Sequence, residues 1–550
     1  MSNVNVTNDW LKSMARPEVL VASIYRSPRS ESAPLVWLDA NENPEKPYGE
    51  NTNMLNRYPE HQPYALRRRL AEIYGVANNQ ILLTRGADEG IDLLIKTFCN
   101  AGRDSIALPT PTFVYYAMVA ALYGVNVNKI PLKADFNLDT EQLLAADDTK
   151  LTFICTPNNP TGNVIPISEI EQLCAARRGK GLVVVDEAYI EFANTTSATT
   201  LLNRYENLII LRTLSKVYAL AGARIGAIIA SADIIQLLAG VIAPYPIPRP
   251  ASDMALKALS PLGLLRARRQ VEQLRSERDF IYEKLSNCPH FEVVYRSETN
   301  FIFAIAKDAE GLHQQLKSRG IMVRNMTTAY PSALRISIGL PLENKLLLAA
   351  LDVDVGEIKL PRRYSDSRKT LETEIFCELT LDDRGIYDIS TGVGFFDHML
   401  EQFSKHSGIS LIIQALGDTH VDAHHTIEDV AIALGAVLKG ALGDKCGINR
   451  YGFATPMDES DANVTIDFSG RADFALNATF NMAMVGDFPT DMVEHFFKTL
   501  SDALGVAIHI TATGKNAHHT IEAIFKCVAR ALRQAVAITN DTLPTTKGIL

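Results

Sequence analysis

Short apolar segments alternate with longer amphipathic segments along the chain as far as Ser260. The short segments are rich in β-branched residues, as strands are, and helical periodicity lies between most of them. The predicted strands are ILLT (81–84), SIAL (105–108), LTFICT (151–156), LVVVDE (182–187) and LIILRT (208–213). This alternation predicts a large α/β domain with a mostly parallel sheet, whose functional loops lie at the carboxyl ends of the strands.

The pattern changes after Ser260 to a long charged helix followed by the short strand patterns FEVVY, NFIFAI, IMVRN and LRISIG. Helical stretches between these strands predict a smaller α/β domain that completes a cleft with the first. The polar, proline-containing segment VDVGEIKLPRRYSDSRKT (353–370) then separates two regions of different composition. We place a boundary near Val355 and predict domains spanning 1–355 and 356–550.

The second region repeats itself. HHTIEDVAIALGAVLKGAL (424–442) and HHTIEAIFKCVARALRQAV (518–536) share their first five residues, at an offset of 518 − 424 = 94. Each HHxxE sequence opens a helical pattern. We expect the second histidine and the glutamate, three residues apart, to share a helix face, and the first histidine to point elsewhere.

Composition limits the possible functions. The chain has 550 residues, 47% of them hydrophobic, which is enough for several cores, and a net charge of −9 with no dense basic run. Nucleic acid or an anionic membrane is therefore not expected as the main partner. The start lacks the features of a secretion signal, no apolar stretch predicts a membrane span, and the seven scattered cysteines suit a reducing cytoplasm. Nine of the twelve histidines lie from His398 onward, which indicates different chemistry in the two regions.

Candidate chemistry in the first region centres on LRTLSKVYALAGARIG (211–226). A lysine held among apolar neighbours can form a Schiff base with an aldehyde cofactor, and we assign Lys216 to pyridoxal 5′-phosphate on this ground. Hydroxyl groups and a guanidinium suit a phosphate dianion, so Thr213, Ser215 and Arg224 are predicted to hold the cofactor phosphate.

Further candidates follow other predicted strands. A helix starting near Ala87 or Asp88, after Gly86, offers backbone N–H groups to a phosphate, although a plain turn with Asp88 as helix cap explains the same residues. Asp186 ends an apolar strand, where a charge needs a partner such as a protonated pyridine nitrogen. The remaining candidates are Phe113, for ring stacking, and Asn159 and Tyr189, for the ring oxygen.

These sequences resemble histidinol-phosphate aminotransferase, a fold-type I pyridoxal-phosphate enzyme. GADEG, PNNPTG, DEAY and RTLSK…AGARIG occur in the family's order and spacing, and the resemblance covers nearly all of residues 1–350. It implies that Lys216 is the Schiff-base lysine, that Asp186 pairs with the pyridine nitrogen, and that Phe113 stands where tyrosine is frequent. It also implies that Tyr58 reaches the phosphate of a neighbouring subunit in a dimer. Arg324 and Arg335 are the candidates for binding substrate carboxylate and phosphate.

In the second region, imidazole and carboxylate groups without cysteine suit Mn²⁺, Zn²⁺ or Fe²⁺, and a duplicated HHxxE favours two metal centres over two merely capped helices. FFDHML (395–400) and LGVAIHITATG (504–514) add His398 and His509. We expect His406, His420 and His495 to be structural or to support the ligands. The predicted ligands are His398, His424, His425, Glu428, His509, His518, His519 and Glu522.

This region resembles imidazoleglycerol-phosphate dehydratase from about Arg368 to Leu550, including DHMLEQ, DAHHTIED, GINRYG, VEHFF and TTKGIL. The resemblance implies an internally duplicated α+β domain, two manganese ions per site, and a cage of 24 subunits with sites between subunits. Gln402 and Glu372 match substrate-contacting positions of the family, and Glu372 is the candidate for proton transfer. The residues that match phosphate-binding positions are Arg450, Arg471 and Lys547, and Thr545 is a further substrate residue that stands where serine is usual.

The two resemblances together imply a bifunctional enzyme. The second part would dehydrate imidazoleglycerol phosphate to imidazole acetol phosphate. The first would transfer nitrogen from glutamate to that ketone, giving L-histidinol phosphate and 2-oxoglutarate. Two alternatives stay open at this point: a related pyridoxal-phosphate decarboxylase in the first part, and a metal-bound assembly scaffold in the second.

Overall fold

A computed structural model describes residues 2–3, 6–24, 38–47, 54–146, 148–356, 362–382, 385–454 and 459–545. The chain forms two compact units, Met1–Ile358 and Lys359–Leu550. The division falls three residues after the boundary that we predicted near Val355, since 358 − 355 = 3. None of the helices in these ranges has the length and apolar character needed to cross a bilayer.

The first unit is built on a seven-stranded sheet. Two short strands, β1 (Ser2–Asn3) and β2 (Ser23–Ile24), pair separately. The strands of the large sheet are β3 (Ile81–Thr84), β4 (Ser105–Thr110), β5 (Asn126–Pro131), β6 (Leu151–Cys155), β7 (Leu182–Asp186), β8 (Leu208–Thr213) and β9 (Gly226–Ala230). Their order is β3-β9-β8-β7-β6-β4-β5, parallel from β8 to β5 and antiparallel at β9.

Helices cover both faces of this sheet, which is why β6, β7 and β8 read as continuous apolar runs rather than alternating ones. The mostly parallel sheet that we predicted is therefore confirmed, although the sequence pattern did not indicate β5 and β9. The helices around it are α1 (Asp9–Met14), α2 (Pro17–Leu20), α3 (Tyr64–Tyr74), α4 (Gly86–Phe98), α5 (Tyr115–Leu122), α6 (Thr140–Ala145), α7 (Ile167–Ala176), α8 (Ala232–Ala239) and α9 (Arg249–Ala258).

A smaller layer follows in the same unit. The long helix α10 (Pro261–Ser286) begins at Ser260, whose hydroxyl accepts the backbone N–H of Gly263. Four antiparallel strands then form a sheet in the order β10-β11-β13-β12, with two more helices. These elements are β10 (Phe291–Val294), β11 (Phe301–Ala306), α11 (Ala309–Ser318), β12 (Arg324–Asn325), β13 (Ala333–Ser337) and α12 (Pro341–Ala350).

The second unit consists of two copies of one arrangement. The first copy contains β14 (Arg363–Lys369), β15 (Thr373–Thr380), β16 (Tyr387–Ser390), α13 (Gly394–Ser407), β17 (Ser410–Gly417) and α14 (His424–Leu442). The second contains β18 (Tyr451–Ala454), β19 (Asp461–Asp467), β20 (Asp473–Asn477), α15 (Met492–Leu504), β23 (Ala507–Thr513) and α16 (Ala517–Val536). A small hairpin, β21 (Met484–Val485) and β22 (Phe488–Pro489), precedes α15.

Both copies have the same sheet topology. The orders are β14-β15-β17-β16 and β18-β19-β23-β20, and in each sheet only the last pair is parallel. The helices pack across the copies, α14 against α15 and α13 against α16. A single apolar cluster extends from Ile375 to Val536, so the two copies share one core. The duplicated α+β fold predicted for this region is confirmed.

Candidate active sites

The residues predicted to bind the cofactor phosphate lie where β3 and β8 end and β9 begins, and we call this group the phosphate cradle. Helix α4 starts at Gly86 directly after β3, and its first backbone N–H groups lack intrahelical acceptors. Arg224 reaches this point: its Nη2 lies 2.8 Å from Asp88 Oδ2 and its Nη1 lies 3.5 Å from Ser215 Oγ. The Thr213 hydroxyl donates to Ser215 Oγ at 2.9 Å. The structure thus gathers six predicted phosphate residues, Gly86, Ala87, Asp88, Thr213, Ser215 and Arg224.

Glycine is needed in this cradle. Gly86 has φ +79°, and a Cβ atom built on it would lie 2.6 Å from Arg224 Nη2. Arg224 itself adopts a left-handed backbone at φ 53°. A side chain at position 86 would therefore push the guanidinium away from the helix N terminus. The close approach sets a cation and helix N–H groups side by side, as a bound phosphate dianion requires.

A buried carboxylate ends β7. Asp186 is 3% exposed, and its oxygens accept hydrogen bonds from the Tyr116 hydroxyl at 2.6 Å and the Ala188 backbone N–H at 3.1 Å. Burial raises the pKa of Asp186 to about 6 in spite of these two donors, which lower it. A carboxylate charge that is this well shielded from water is stabilised by a cationic partner, and a protonated ring nitrogen would be such a partner. Sequence analysis missed Tyr116, because Asp186, the partner that gives its hydroxyl a role, lies 70 residues further along the chain.

The predicted ring-binding side chains surround this carboxylate. The Phe113 ring meets the Tyr116 ring edge-on at 5.6 Å between centroids. Lys216 Nζ lies 5.4 Å from the centroid of the Tyr189 ring. Although Lys216 is exposed, surrounding protein lowers its pKa by desolvation, and the positive charge of Arg335 adds to this effect. A lysine that gives up its proton easily suits both covalent attachment of an aldehyde and proton transfer.

Arg335 brings the smaller layer to the same place. Its Nη1 donates to Asn159 Oδ1 at 2.6 Å, and its guanidinium lies 5.1 Å from the Phe301 ring centroid. Within the described residues, Arg335 Nε is buried and has no hydrogen-bond partner. An orphaned donor on a buried cation is what an incoming anionic substrate group satisfies. Arg324 lies opposite Arg335 on β12 and is exposed.

Tyr58 lies elsewhere on the first unit. Its ring stacks on that of Tyr245 at 4.7 Å between centroids and is 49% exposed. Its predicted reach to the phosphate of a neighbouring subunit stays a prediction.

The second unit brings together three side chains of the types that bind metal ions. His424, Glu428 and His495 place one ligand atom each within 4.8 Å of one another. The His424 and His495 rings are 4.6 Å apart, and His495 Nε2 lies 3.4 Å from Glu428 Oε1. In the described part of the chain, that nitrogen is buried without a hydrogen bond. Two imidazoles and a carboxylate around an unsatisfied nitrogen fit Mn²⁺ or a similar divalent ion.

A second group, made of His398, His518 and Glu522, repeats the arrangement more loosely. His518 Nε2 lies 3.8 Å from Glu522 Oε2, and the His398 and His518 rings are 6.4 Å apart. Burial acts to raise the pKa of Glu522, but a hydrogen bond from Lys526 and the two neighbouring histidines outweigh it, so the pKa is lowered. The ionised carboxylate that a metal ligand must supply is favoured here.

This geometry corrects two of our expectations. The first histidine of each HHxxE sequence, four residues before the glutamate, faces that glutamate, because i and i+4 also share a helix face. The second histidines point away: His425 Nδ1 lies 3.1 Å from Asp418 Oδ2 and 3.7 Å from Glu372 Oε2, while His519 pairs with Glu459. The hydrogen bond with Asp418 chiefly raises the pKa of His425.

We expected His495 to be structural or to support the ligands. In the structure it occupies, on α15, the position that His398 occupies on the equivalent helix α13, and His509 does not. Ser404 and Ser501, each six residues after its histidine, both donate to a backbone carbonyl five residues on. His509 lies on β23 between the buried Ile508 and Ile510, so its side chain points to the opposite, exposed face of the sheet. There it approaches Asp473 Oδ2 at 3.0 Å. Within one chain, His509 belongs to neither of the two groups of candidate metal ligands.

The predicted substrate residues of the second unit are only partly gathered. Arg450 forms a bidentate ion pair with Asp467, with Nε 2.7 Å from Oδ1 and Nη2 3.1 Å from Oδ2. It also donates a hydrogen bond to the carbonyl of Pro544, next to Thr545. Arg471 lies in an exposed turn with Ser469, and Gln402 is half-buried on α13. Lys547 lies outside the described residues.

Comparison with known proteins agrees with this geometry. A mostly parallel sheet with the lysine just after β8 places the first unit among the pyridoxal-phosphate-dependent transferases of fold type I. The chain belongs to the class I and II aminotransferase family, whose model matches residues 19–351. The imidazoleglycerol-phosphate dehydratase model matches residues 391–532. The second unit therefore carries a dehydratase domain of that family.

Individual relatives resemble the first unit. The histidinol-phosphate aminotransferase of Stenotrophomonas maltophilia (strain R551-3) is 41% identical over 362 residues, 63% of this chain and 98% of the relative. That of Yersinia enterocolitica is 43% identical over 320 residues, 58% of this chain and 86% of the relative. The solved histidinol-phosphate aminotransferase of Clostridium acetobutylicum, at 24% identity and a TM-score of 0.50, covers 54% of this chain and 90% of its own, and supports the fold.

Asp186 should impose a pH dependence on the cofactor-free protein. Its pKa rises from 3.8 to about 6 on folding, so the native state keeps a proton that the unfolded chain loses. The free energy of unfolding should therefore fall between pH 4 and 6 and level off above, by about 3 kcal/mol in total at about 1.4 kcal/mol per pKa unit. Asp186→Asn should remove this component. Urea unfolding of both cofactor-free proteins from pH 4 to 8 tests it, and parallel profiles would contradict it.

His495→Ala should weaken manganese binding at least tenfold at one of the two metal groups, since it removes a ligand atom facing Glu428. His509→Ala is the matched control and should bind manganese as the unchanged chain does. Calorimetric titration of each metal-free variant with Mn²⁺ measures its affinity for the ion. The opposite ranking of the two variants would show that our correction is wrong.

Proposed function

We propose that this chain is a bifunctional enzyme for two consecutive steps of histidine biosynthesis. The second unit dehydrates imidazoleglycerol phosphate to imidazole acetol phosphate. The first unit transfers an amino group from glutamate to that ketone and releases L-histidinol phosphate and 2-oxoglutarate. The observation that carries the proposal is the convergence of Lys216, the buried Asp186 and the phosphate cradle in a chain that also holds a duplicated His–Glu–His arrangement.

In the first unit, each of the gathered residues has one task. The cradle around Arg224 anchors the cofactor phosphate, and Asp186 pairs with the ring nitrogen. When bound, pyridoxal phosphate supplies a ring that withdraws electrons from the carbon attached to nitrogen. Lys216, whose pKa is lowered, takes a proton from that carbon and returns it to the neighbouring one. Asn159 and Tyr189 contact the ring oxygen.

Arginine side chains of the first unit bind the anionic groups of the substrates. Arg335 is half-buried, and desolvation lowers its pKa, so an anion beside it stabilises its charged form. Its Nε is the buried donor without a partner in the described residues. Glutamate and the ketone phosphate both carry anionic groups that a planar guanidinium can bind through two hydrogen bonds. Arg324, opposite on the neighbouring strand, adds a second positive charge.

In the second unit, two ligand groups would each hold one Mn²⁺. One consists of His424, Glu428 and His495, and the other of His398, His518 and Glu522. When bound, the metal ions supply Lewis acidity at the imidazole of the substrate and so assist departure of the hydroxyl group. Glu372 removes or returns a proton; its carboxylate is about half exposed and lies 3.7 Å from His425 Nδ1.

Assembly and location belong to the same proposal. We infer a dimer through the first unit, with Tyr58 serving the neighbouring subunit, and a 24-subunit particle through the second. The cytoplasm is the compartment that we assign. All seven cysteines lie in the described residues, and they form no disulfide.

Two variants of the full chain separate the two activities. With imidazoleglycerol phosphate, Mn²⁺, pyridoxal phosphate and glutamate, the unchanged chain should form 2-oxoglutarate and histidinol phosphate. Lys216→Ala should stop at imidazole acetol phosphate, with transamination lowered at least a thousandfold, because the proton carrier is lost. Glu372→Gln should form neither product, yet should transaminate added imidazole acetol phosphate normally.

The same assay tests the alternatives. Release of CO₂ in place of 2-oxoglutarate would indicate a decarboxylase in the first unit. Dehydration that is unaffected by Glu372→Gln would contradict the role given to Glu372. A chain that never dehydrates the first substrate with manganese present would leave the second unit as a scaffold.

A further inference from the structure

Tyr116 has a fully buried polar side chain. None of the roles given above, which are binding of the cofactor phosphate, of the ring oxygen and of substrate, involves it. Tyr116 is the second residue of α5, and its ring stacks on that of Phe153 at 4.9 Å between centroids. Its hydroxyl reaches across to β7 and donates to Asp186 Oδ2 at 2.6 Å. A phenylalanine would fill the same space. The hydroxyl is therefore the part of this residue that needs an explanation.

We propose that Tyr116 is a positioning residue for the cofactor: its hydroxyl keeps the Asp186 carboxylate ionised and oriented toward the ring nitrogen. This rests on the proposed function of the first unit. A hydrogen-bond donor stabilises the ionised form of a carboxyl group more than the protonated form, since a hydrogen bond to a charged acceptor is roughly twice as strong as a neutral one. The ionised carboxylate in turn keeps the ring nitrogen protonated.

The surroundings make this donor necessary. The groups that act on Asp186 or are acted on by it come from several elements: Asp88 on α4, Cys155 on β6, Glu187 after β7, and Tyr189 and Lys216 in the following loops. Asp88 and Glu187 both act to protonate Asp186, as burial does. The Ala188 backbone N–H, at 3.1 Å from Oδ1, is the other donor that opposes them. Removing the Tyr116 hydroxyl would leave one donor against burial and two like charges.

Toward Asp186, Tyr116 acts as the donor, because an ionised carboxylate only accepts hydrogen bonds. Burial, together with the negative charge of Asp186, raises the pKa of its hydroxyl well above the ordinary value for tyrosine. It therefore stays protonated across the working range of pH. The stacked Phe153 and perpendicular Phe113 rings hold the phenol in place, so its direction does not depend on the cofactor. The pair is thus set before the cofactor binds.

The test is cofactor binding to the cofactor-free full chain at pH 5 to 9, with pyridoxal phosphate as the probe and absorbance as the readout. Tyr116→Phe should weaken binding about tenfold near pH 6 to 7 and less at pH 9, where Asp186 is ionised in either protein. The acid-side fall in affinity should move to higher pH. Tyr123→Phe is the matched control, since that hydroxyl also donates to an aspartate, Asp92, at 2.9 Å, and it should leave the profile unchanged.

A double variant shows whether Tyr116 acts through Asp186. In an Asp186→Asn background, Tyr116→Phe should have no further effect on affinity, because the group that it acts on is gone. A profile for Tyr116→Phe that matches Tyr123→Phe, a loss that is equal at every pH, or a full effect in the Asp186→Asn background would each overturn the proposal. If the unchanged chain does not bind pyridoxal phosphate at all, the proposed function itself fails, and the two failures are thereby distinguished.

Discussion

The first unit depends on one unfavourable arrangement, a carboxylate at the buried end of the strand β7. A charge removed from water is destabilising unless it is hydrogen-bonded and faces an opposite charge. Asp186 has two donors, and burial still raises its pKa. Burial of this charge destabilises the cofactor-free fold, and a bound cationic ring would offset that destabilisation. The parallel sheet, the turn after β7 and the aromatic side chains of α5 all serve to hold that one group in place.

The second unit depends on symmetry instead of on a single charge. Each HHxxE helix packs against the histidine-bearing helix of the other copy, so neither copy can complete a ligand group alone. One continuous apolar core joins the copies and fixes the two helix pairs. Phe496 illustrates this, since its ring contacts Phe396 of the first copy and Phe525 of α16. Packing energy and ligand geometry are therefore set by the same contacts.

Much of the fold could be predicted from the sequence, because buried parallel strands are short apolar runs and a repeat of HHTIE is visible directly. The edge strand β5 alternates in burial only weakly, and β9 merges with the lysine-bearing segment, so neither stood out. The phosphate cradle could be predicted from residue types at strand ends. Tyr116 could not, because its partner lies 70 residues away in sequence.

The errors in the second unit have physical causes too. Positions i+3 and i+4 share a helix face, so spacing alone did not decide which histidine of each pair faces the glutamate. His509 was chosen as a ligand by residue type alone, without regard to its strand; alternation along β23 turns its side chain outward. The common serine six residues after His398 and His495 was the signal in the sequence that relates those two.

Reduction of the cofactor-loaded chain with borohydride, followed by peptide mapping, tests the central claim most directly. A covalent pyridoxyl label on the peptide that contains Lys216, next to the cradle of Arg224 and Ser215, is the result that the account predicts. A label on another lysine, or no label on a protein saturated with pyridoxal phosphate, would contradict it.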